Sequence, residues 1–352
     1  MKKLFVFLCI LGVLFGEGEK DLTDQGLDAI KKKDYKKAYQ LLTEACKNNV
    51  WGGCYNLALM YSNGDGIKKN KEKAVELYQK SCNSGESIGC NNLGVMYAEG
   101  DGIDIDKEKA FLYYSKACEL GWSTACFNLA TMYDQGEVVQ KDREMANQFL
   151  LLACNRGDAL SCSSLGFRYD LGIGVEKNQN KKIKFLTMGC SGRDGGGCVG
   201  LGISYANGIG VQKDDFVAFD YFKKGCDYGD MLGCRMLGNA YNLGLGVRQD
   251  KNNAIKIFSK TCDMGEAMSC FSLGLIYVKG EGIKQDSVGA LRLFEKSCNK
   301  GAGVGCIFVG GLFEKIGGKD GIKKAKEYYG KACDLKNEKG CQNYARLNEA
   351  GY

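Results

Sequence analysis

Small and apolar residues recur in this chain with the period of an α-helix, inside a larger unit that repeats about every 36 residues. Counted from the second cysteine of each Cys-x7-Cys pair, offsets 0, 3, 4 and 7 carry a fixed set of residue types, as in Cys54, Leu57, Ala58 and Tyr61. These offsets lie on one face of a helix, so they predict a buried helical face in every unit. The small residue at offset 4 lets a neighbouring helix approach closely, which outweighs the cost of about 1 kcal/mol for a glycine inside a helix.

A second helix follows in each unit. A Gly-x-Gly segment such as Gly172 to Gly174 predicts the intervening turn, and an Asn or Asp at offset 16, such as Asn70 or Asp106, is typical of a helix N-cap. This second helix carries Ala eight residues before its cysteine, except in one unit where Lys182 takes that place. The pattern therefore predicts an all-α chain built from repeated antiparallel helix pairs.

The first residues have the pattern of a secretory signal peptide. Lys2 and Lys3 precede an apolar run over residues 4–15, and Gly16 and Gly18 are small residues suited to cleavage. The run is shorter than the roughly 20 apolar residues of a transmembrane helix. We therefore expect residues 1–16 to be removed, with cleavage between 16 and 18. The mature chain is expected to be secreted, extracellular or periplasmic, without a membrane span.

The cysteines follow the same repeat. Of the 19 cysteines, Cys9 lies in the leader and the other 18 form pairs with seven residues between them, each pair spanning the turn from one unit to the next. Buried free thiols are one interpretation. A zinc site is disfavoured because zinc cysteines usually stand about two to four residues apart, often with His. Nine such spacings in an exported chain favour disulfides. The predicted bonds are Cys46–Cys54, Cys82–Cys90, Cys118–Cys126, Cys154–Cys162, Cys190–Cys198, Cys226–Cys234, Cys262–Cys270, Cys298–Cys306 and Cys333–Cys341.

The composition argues against several kinds of chemistry. The chain has no His, which removes the usual general base and every zinc site that needs imidazole. The Gly-x-Gly segments follow helices rather than strands, so they do not predict a nucleotide site. We expect no metal and no cofactor. The Lys residues are spread over the units without a basic tract, so nucleic acid is not an expected partner.

The units resemble Sel1-like repeats, which are relatives of tetratricopeptide repeats. The shared motif is Cys-x-x-Leu-Gly-x-x-Tyr-x-x-Gly-x-Gly, then Asp-x-x-x-Ala, then aromatic-x-x-x-Cys. With its cysteine spacing and leader, the chain is similar to the secreted Helicobacter cysteine-rich proteins. The resemblance implies a right-handed α-solenoid over residues 22–349, a single array of nine helix-pair units with a capping helix near Cys341–Glu349. It also implies two functions, protein recognition at the host interface and the binding or slow hydrolysis of β-lactams.

Positions that vary between units are candidates for recognition. Offsets 1, 5 and 8 flank the buried face, and a fixed framework with a variable flank is how repeat proteins form a binding surface. Packing between units is the alternative role for some of these side chains. The candidate ligand-binding residues are Tyr55, Asn91, Phe127, Arg235, Asn239 and Phe271. The chain is expected to be a monomer whose partner is a protein or peptide, host-derived or from the cell wall.

An enzymatic alternative rests on the resemblance and on one short motif. Ser297 and Lys300 fit the Ser-x-x-Lys motif of penicillin-recognising enzymes, but the sequence lacks the companion Ser-Asp-Asn and Lys-Thr-Gly motifs. Because the match spans the repeat cysteine Cys298, the ordinary end of a second helix is the better explanation. Ser297 and Lys300 are therefore weak catalytic candidates for a β-lactamase-type hydrolase, with β-lactams as the alternative ligands.

Overall fold

The computed structural model describes residues 22–352, and every regular element within that range is an α-helix. The predicted signal peptide and Cys9 lie outside the described residues. The first helix, α1, covers residues 22–31. The other helices are α2 (Tyr35–Lys47), α3 (Trp51–Asn63), α4 (Lys71–Asn83), α5 (Ser87–Glu99), α6 (Lys107–Glu119), α7 (Ser123–Gln135), α8 (Arg143–Asn155), α9 (Ala159–Leu171), α10 (Gln179–Ser191), α11 (Gly195–Asn207), α12 (Asp215–Asp227), α13 (Met231–Leu243), α14 (Lys251–Asp263), α15 (Ala267–Lys279), α16 (Ser287–Asn299), α17 (Gly303–Ile316), α18 (Gly318–Asp334) and α19 (Glu338–Glu349).

Local cap chemistry sets the helix boundaries. The even-numbered helices from α2 to α16 begin after an Asp or Asn whose side chain accepts a backbone hydrogen bond. In α4, for example, Oδ1 of Asn70 accepts from the backbone N–H of Lys73 at 2.8 Å. Most odd-numbered helices end at a left-handed glycine such as Gly244, with φ of 74°, a conformation that a side chain disfavours. The two-helix unit predicted from the sequence is confirmed.

In α11 and α12, as in several other units, the two helices pack closely because the first presents a glycine to an aromatic ring on the second. A Cβ on Gly202 of α11 would lie 2.5 Å from Cε1 of Phe222 in α12, so a larger residue would force the ring to move. One turn later Tyr205 stacks on Tyr221, with ring centroids 5.6 Å apart. The sequence prediction that the small residue at offset 4 permits close approach therefore agrees with these contacts.

Disulfides join successive units. All nine predicted cysteine pairs are bonded, each linking the end of an even-numbered helix to the start of the next helix. Small residues beside the bonds let these helices meet: a Cβ on Gly89 would lie 2.6 Å from Oγ of buried Ser81. The cross-linked α-solenoid fold expected from the spacing is thus confirmed. Each closed loop of roughly nine residues contributes about 2.5 kcal/mol in the chain-entropy model.

The described residues divide into two compact parts, each made of several repeats. We call these parts the N-terminal unit and the C-terminal unit. The N-terminal unit contains residues 22–168 and 172–176, and the C-terminal unit contains residues 169–171 and 177–352. A continuous apolar cluster including Leu42 and Leu129 forms the core of the N-terminal unit. Smaller clusters, such as that around Phe258, form the core of the C-terminal unit. Over residues 22–352, no helix is both long and apolar enough to cross a membrane.

Candidate functional site

A cleft of about 350 Å³ opens in the C-terminal unit where α11 and α12 meet α13. Its walls come from one helix pair and from the first helix of the next pair. We call it the Asp215 cleft, and its lining residues are Ile203, Ala206, Asn207, Asp215, Ala218, Phe219, Phe222, Met236, Asn239, Ala240, Leu243 and Leu245. At this volume it falls near the lower end of the roughly 300–1,000 Å³ range of ligand pockets.

The Asp215 cleft has an apolar floor and an apolar rim. Phe222 and Ala240 are buried in the floor, whereas Leu243 and Leu245 at the rim are 60% and 47% exposed. These two aliphatic side chains extend the apolar lining of the cleft to its solvent-exposed edge. Polar atoms come from two amides and one carboxylate, which belong to Asn207, Asn239 and Asp215. The cleft can therefore take an apolar group and hydrogen-bond to its polar neighbours.

The N-terminal unit has a cleft at the equivalent repeat positions, between α5, α6 and α7. It measures about 310 Å³, and we call it the Lys107 cleft. Its lining residues are Ala98, Lys107, Tyr114, Asn128, Thr131, Met132, Gln135 and Glu137. Each lies 108 residues before a residue of the Asp215 cleft, so that Lys107 corresponds to Asp215 and Glu137 to Leu245. The same backbone arrangement therefore carries two different linings.

An ion pair spans the mouth of the Lys107 cleft, formed by Lys107 at the start of α6 and Glu137 in the turn after α7. Two other repeat junctions have the same arrangement, with pairs Lys71–Asp101 and Lys251–Glu281, the latter at 2.6 Å. The hydrogen bond from Lys251 is the main reason why the pKa of Glu281 is lowered, and burial opposes it. Across these junctions, the lysine ammonium neutralises the acid of the next turn.

The Asp215 cleft lacks this bridge because both partners differ. Asp215 replaces the lysine and Leu245 replaces the acid. Within the described part of the chain, the ion-pair contact of Asp215 is with Lys213, at a long 3.9 Å between Nζ and Oδ1. The Lys213 side chain is 63% exposed, so water screens that attraction. The mouth of this cleft therefore combines an unbridged carboxylate with aliphatic side chains.

Of the binding residues predicted from the sequence, Asn239 lines the Asp215 cleft. Arg235 lies one turn earlier on α13, with Nε 3.4 Å from Oε1 of Glu266. The two groups attract each other as charges, but within residues 22–352 the Nε–H of Arg235 makes no hydrogen bond. Asn239 is thus the predicted residue that the structure places at a cleft.

The other predicted binding residues lie at offset 1, where the side chains are wholly or partly buried against neighbouring helices. Phe271 is buried against Phe294 and Phe308, with centroids 5.5 and 4.9 Å away. Asn91 is also buried. Tyr55 packs on Tyr78 at 5.9 Å, and burial raises its pKa although a hydrogen bond with Asn92 opposes the shift. Phe127 is half-buried. In this structure, offset 1 serves chiefly to pack against helices of its own unit and of the next one.

The catalytic candidates Ser297 and Lys300 lie in different surroundings. The Ser297 side chain is fully buried, and a Cβ on Gly305 would lie 2.7 Å from its Oγ. It occupies the position held by Ser81 in an earlier unit, where only a small residue fits between the two helices. Lys300 is exposed at the end of α16. The structure therefore gives Ser297 a packing role beside the Cys298–Cys306 bond.

Sequence reasoning missed the residues that distinguish this cleft. Met236 and Leu243 stand at offsets 2 and 9 of α13, rather than at offsets 1 and 8. Asp215 and Leu245 stand at offsets 17 and 11, in a helix start and a turn that had been assigned only structural roles. A comparison of offset 11 between the units would have pointed to Leu245. The first three units have the acidic residues Asp65, Asp101 and Glu137 there, and the next three have the aliphatic residues Ile173, Ile209 and Leu245.

A search against protein families finds Sel1 repeats along the chain. The Sel1 repeat model matches residues 11–50, 52–86, 87–122, 123–158, 159–192, 197–230, 232–266, 267–301 and 306–337. The crystal structure of c5321, a protective antigen of uropathogenic Escherichia coli with an SLR fold, is 27% identical. It covers 95% of this chain and 72% of its own, with a TM-score of 0.75. This fold likeness agrees with the helix pairs described above.

Two Helicobacter pylori proteins are also similar in sequence. Cysteine-rich protein B is 33% identical over 38% of this chain and 95% of its own, with a TM-score of 0.32. HcpC of strain ATCC 700392 / 26695, whose description as a β-lactamase is provisional, is 34% identical over 62 residues. That match covers 18% of this chain and about a fifth, 21%, of HcpC. The resemblance to the Helicobacter cysteine-rich proteins is thereby confirmed at the level of sequence.

Proposed function

We propose that this chain, which belongs to the Sel1-repeat family, is a disulfide-cross-linked scaffold that binds a protein or peptide through its Asp215 cleft. The observation that carries the proposal is the difference between equivalent clefts. At the Lys107 cleft the repeat framework joins Lys107 to Glu137 in an ion pair, whereas the Asp215 cleft has no such pair and is lined by Phe222, Met236 and Leu243. Aromatic and Met side chains are enriched in the anchor positions of interfaces.

The disulfides support a location outside the cytoplasm. Nine bonds between cysteines form and persist in oxidising compartments, and cytosolic proteins rarely keep them. Together with the predicted leader, these features support secretion of the scaffold, so that its partner would be met in the periplasm or outside the cell.

A peptide-display selection with a cleft-closing variant tests the proposal. Asp215→Lys with Leu245→Glu recreates the lysine and acid of the Lys107 cleft and should bridge the mouth. Random displayed peptides are selected on the oxidised wild-type protein and counter-selected on this variant. We expect enriched peptides that bind the wild type and lose binding to the variant, measured by fluorescence anisotropy of the synthesised peptides. No cleft-dependent peptide after selection would contradict the proposal.

The Lys107 cleft supplies the matched control. The reverse change, Lys107→Asp with Glu137→Leu, alters the same two offsets in the other unit and should leave binding of the selected peptides unchanged. Both double variants should keep the circular dichroism spectrum and melting temperature of the wild type, because the exchanged residues lie at a partly exposed mouth. A loss of binding in both variants would point to a general effect on the scaffold and count against the Asp215 cleft.

The β-lactamase description of HcpC is not extended to this chain. Ser297, the serine of the Ser-x-x-Lys match, is fully buried between two helices and fills a small-residue packing position. We expect no turnover of a chromogenic cephalosporin that depends on Ser297. Intact-mass measurement after incubation should show no acyl adduct on that residue, and a Ser297→Ala-sensitive turnover would contradict this expectation.

A further inference from the structure

Asp215 stands at a repeat position where three other units carry a lysine whose charge is neutralised within the framework. At the equivalent position Lys71 pairs with Asp101 and donates to Oγ of Ser62 at 2.9 Å. Lys251 pairs with Glu281 and donates to Oδ1 of Asn242 at 2.9 Å. Each lysine thus has one partner in its own unit and one in the next. At these two junctions the repeat geometry brings two partners to the lysine.

Both partner positions around Asp215 are aliphatic. Ala206 occupies the place of Ser62 and Asn242, and Leu245 occupies the place of the acid. The Asp215 side chain is 38% exposed, and Lys213 provides only the long 3.9 Å contact described above. A carboxylate beside aliphatic groups interacts more strongly with an added cation than one surrounded by water, because the local dielectric is lower. The position therefore suits a cation brought by a partner.

We infer that the Asp215 cleft recognises a peptide segment in which a large apolar side chain lies close to a Lys or Arg. This inference rests on the proposed function and adds the chemistry of the partner. The apolar side chain would enter the cleft between Phe222, Met236 and Leu243, and the cation would pair with the Asp215 carboxylate. Charge complementarity and the missing bridge to Leu245 favour this occupant.

The amides of the cleft fit the backbone of the same segment. Asn207 on α11 and Asn239 on α13 line the cleft on two of its helices, and each amide can donate and accept hydrogen bonds. A volume of about 350 Å³ holds side chains rather than a folded domain. The recognised element is thus a short stretch of a partner chain, with one apolar anchor and one basic contact.

The test uses the peptides selected on the oxidised full chain. We expect their sequences to share a large apolar residue with a Lys or Arg at a fixed spacing. Asp215→Asn should weaken the binding of such a synthesised peptide about threefold to fivefold, as expected for a partly exposed ion pair. Exchanging the peptide's basic residue for Gln should have the same effect. The two changes together should be no worse than either alone, which identifies the pair by a double-mutant cycle.

The outcomes separate the inference from the proposed function. If Asp215→Lys with Leu245→Glu abolishes binding while Asp215→Asn leaves the affinity unchanged, the cleft binds peptides but Asp215 does not pair with a basic residue of the peptide, and the inference is overturned. If selected peptides lack a basic residue, the inference is likewise overturned. Analytical ultracentrifugation addresses a different occupant, since a dimer of the wild type that the closing variant dissociates would show that a second copy fills the cleft. Glu137→Gln, in the other unit, is the control and should not change peptide affinity.

Discussion

The Lys107 cleft and the Asp215 cleft are built on the same three-helix framework, yet their mouths have opposite chemistry. Tyr114 and Phe222 occupy the same position in the two floors, and both rings lie over a glycine, Gly94 or Gly202. At the rim, however, the polar residue Gln135 in one cleft corresponds to Leu243 in the other. The framework positions are under packing constraints that fix their size, whereas the rim positions face solvent and can change freely.

The comparison also shows that the changes at the mouth are linked. For the acidic turn residues Asp101, Glu137 and Glu281, the helix of the previous unit starts with lysine. At the Asp215 cleft both members differ together. Removal of only the acid would leave a lysine beside apolar groups, whereas the double change leaves an open cleft with a carboxylate. Both members also differ where Gln179 and Ile209 stand, so the feature that distinguishes the Asp215 cleft is the carboxylate in place of the lysine.

Of the changes that test this comparison, removal of the disulfide beside each cleft should have the largest effect on stability. Cys118–Cys126 joins α6 to α7, and Cys226–Cys234 joins α12 to α13. Replacing either pair by alanine should lower the free energy of unfolding by about 2.5 kcal/mol, from the loop-entropy term. Urea unfolding checks this value. Only the Cys226→Ala/Cys234→Ala variant should also weaken the cleft-dependent peptides, and an equal loss in both variants would contradict the assignment of binding to one cleft.

The same two bonds should differ in their rate of reduction. Cys118 and Cys126 are 2% and 0% exposed, and Arg156 covers them, with Nη1 3.2 Å from Sγ of Cys126. Cys226 and Cys234 are both partly exposed. Limited reduction with dithiothreitol, followed by alkylation and peptide mapping, should therefore find Cys226–Cys234 opened first. Reduction of Cys118–Cys126 at the same rate or faster would show that access to the sulfur atoms does not control the order.

A smaller effect should appear at alkaline pH in the Lys107 cleft. Burial, with the charge of Glu99 adding to it, raises the pKa of Tyr114 to about 12. Because ionisation occurs first in the unfolded chain, stability is intact below about pH 10 and falls as the pH rises towards 12. When the pH is raised from about 9 to 11, the free energy of unfolding of Tyr114→Phe should fall by about 1 kcal/mol less than that of the wild type. Urea unfolding at both values measures the difference.

The Asp215 cleft provides the reverse variant for that experiment. Phe222 has no ionisable group at the equivalent position, so Phe222→Tyr should increase the alkaline loss of stability. If neither variant changes the pH dependence, the floor residues do not titrate as their burial implies. If Phe222→Tyr unfolds the chain at neutral pH, the Tyr114→Phe result alone decides the point.

The smallest effect should come from the bridge itself. Lys107 and Glu137 have side chains that are 46% and 49% exposed, and pairs of this kind contribute about 0–1 kcal/mol. Lys107→Met should therefore change the free energy of unfolding by less than about 1 kcal/mol, and added salt should reduce the difference further. Urea titrations at low and high salt measure the change in the free energy of unfolding and its dependence on salt. A larger loss would mean that the ion pair stabilises the repeat junction and does more than close a cleft.

Much of the fold could be predicted because it depends on short-range chemistry that recurs in every unit. Leu57, Ala58 and Tyr61 define a helix face from their spacing alone, and Asn70 caps the next helix through its own side chain. Lys182 shows the limit of such patterns. It replaces the usual Ala, yet it is only 4% exposed, and its Nζ lies 3.1 Å from Oδ1 of Asp170. A partner on a preceding helix, invisible in the local pattern, makes that burial tolerable.

The candidate site was less predictable because it depends on which flank of the first helix faces the neighbouring repeat. Asn239 was predicted at offset 5, and it does line the cleft. Phe271 and Asn91 were predicted from offset 1, and both are buried. Offset 1 is packed against neighbouring helices, whereas offset 2, as in Asn128 and Met236, lines the clefts. A difference of one residue, about 100° around a helix of 3.6 residues per turn, separates the two environments.

The sequence by itself determined the helix pairs, their caps, the nine cysteine pairs and the family, because each depends on residues within one unit or across one turn. The tertiary structure decided which residues of different units share a cleft. Asp215 and Leu245 are 30 residues apart in the chain, and only the stacking of α11, α12 and α13 brings them to one mouth. Packing between units is set by crossing geometry rather than by local pattern, so the opening of this cleft became visible only in the folded chain.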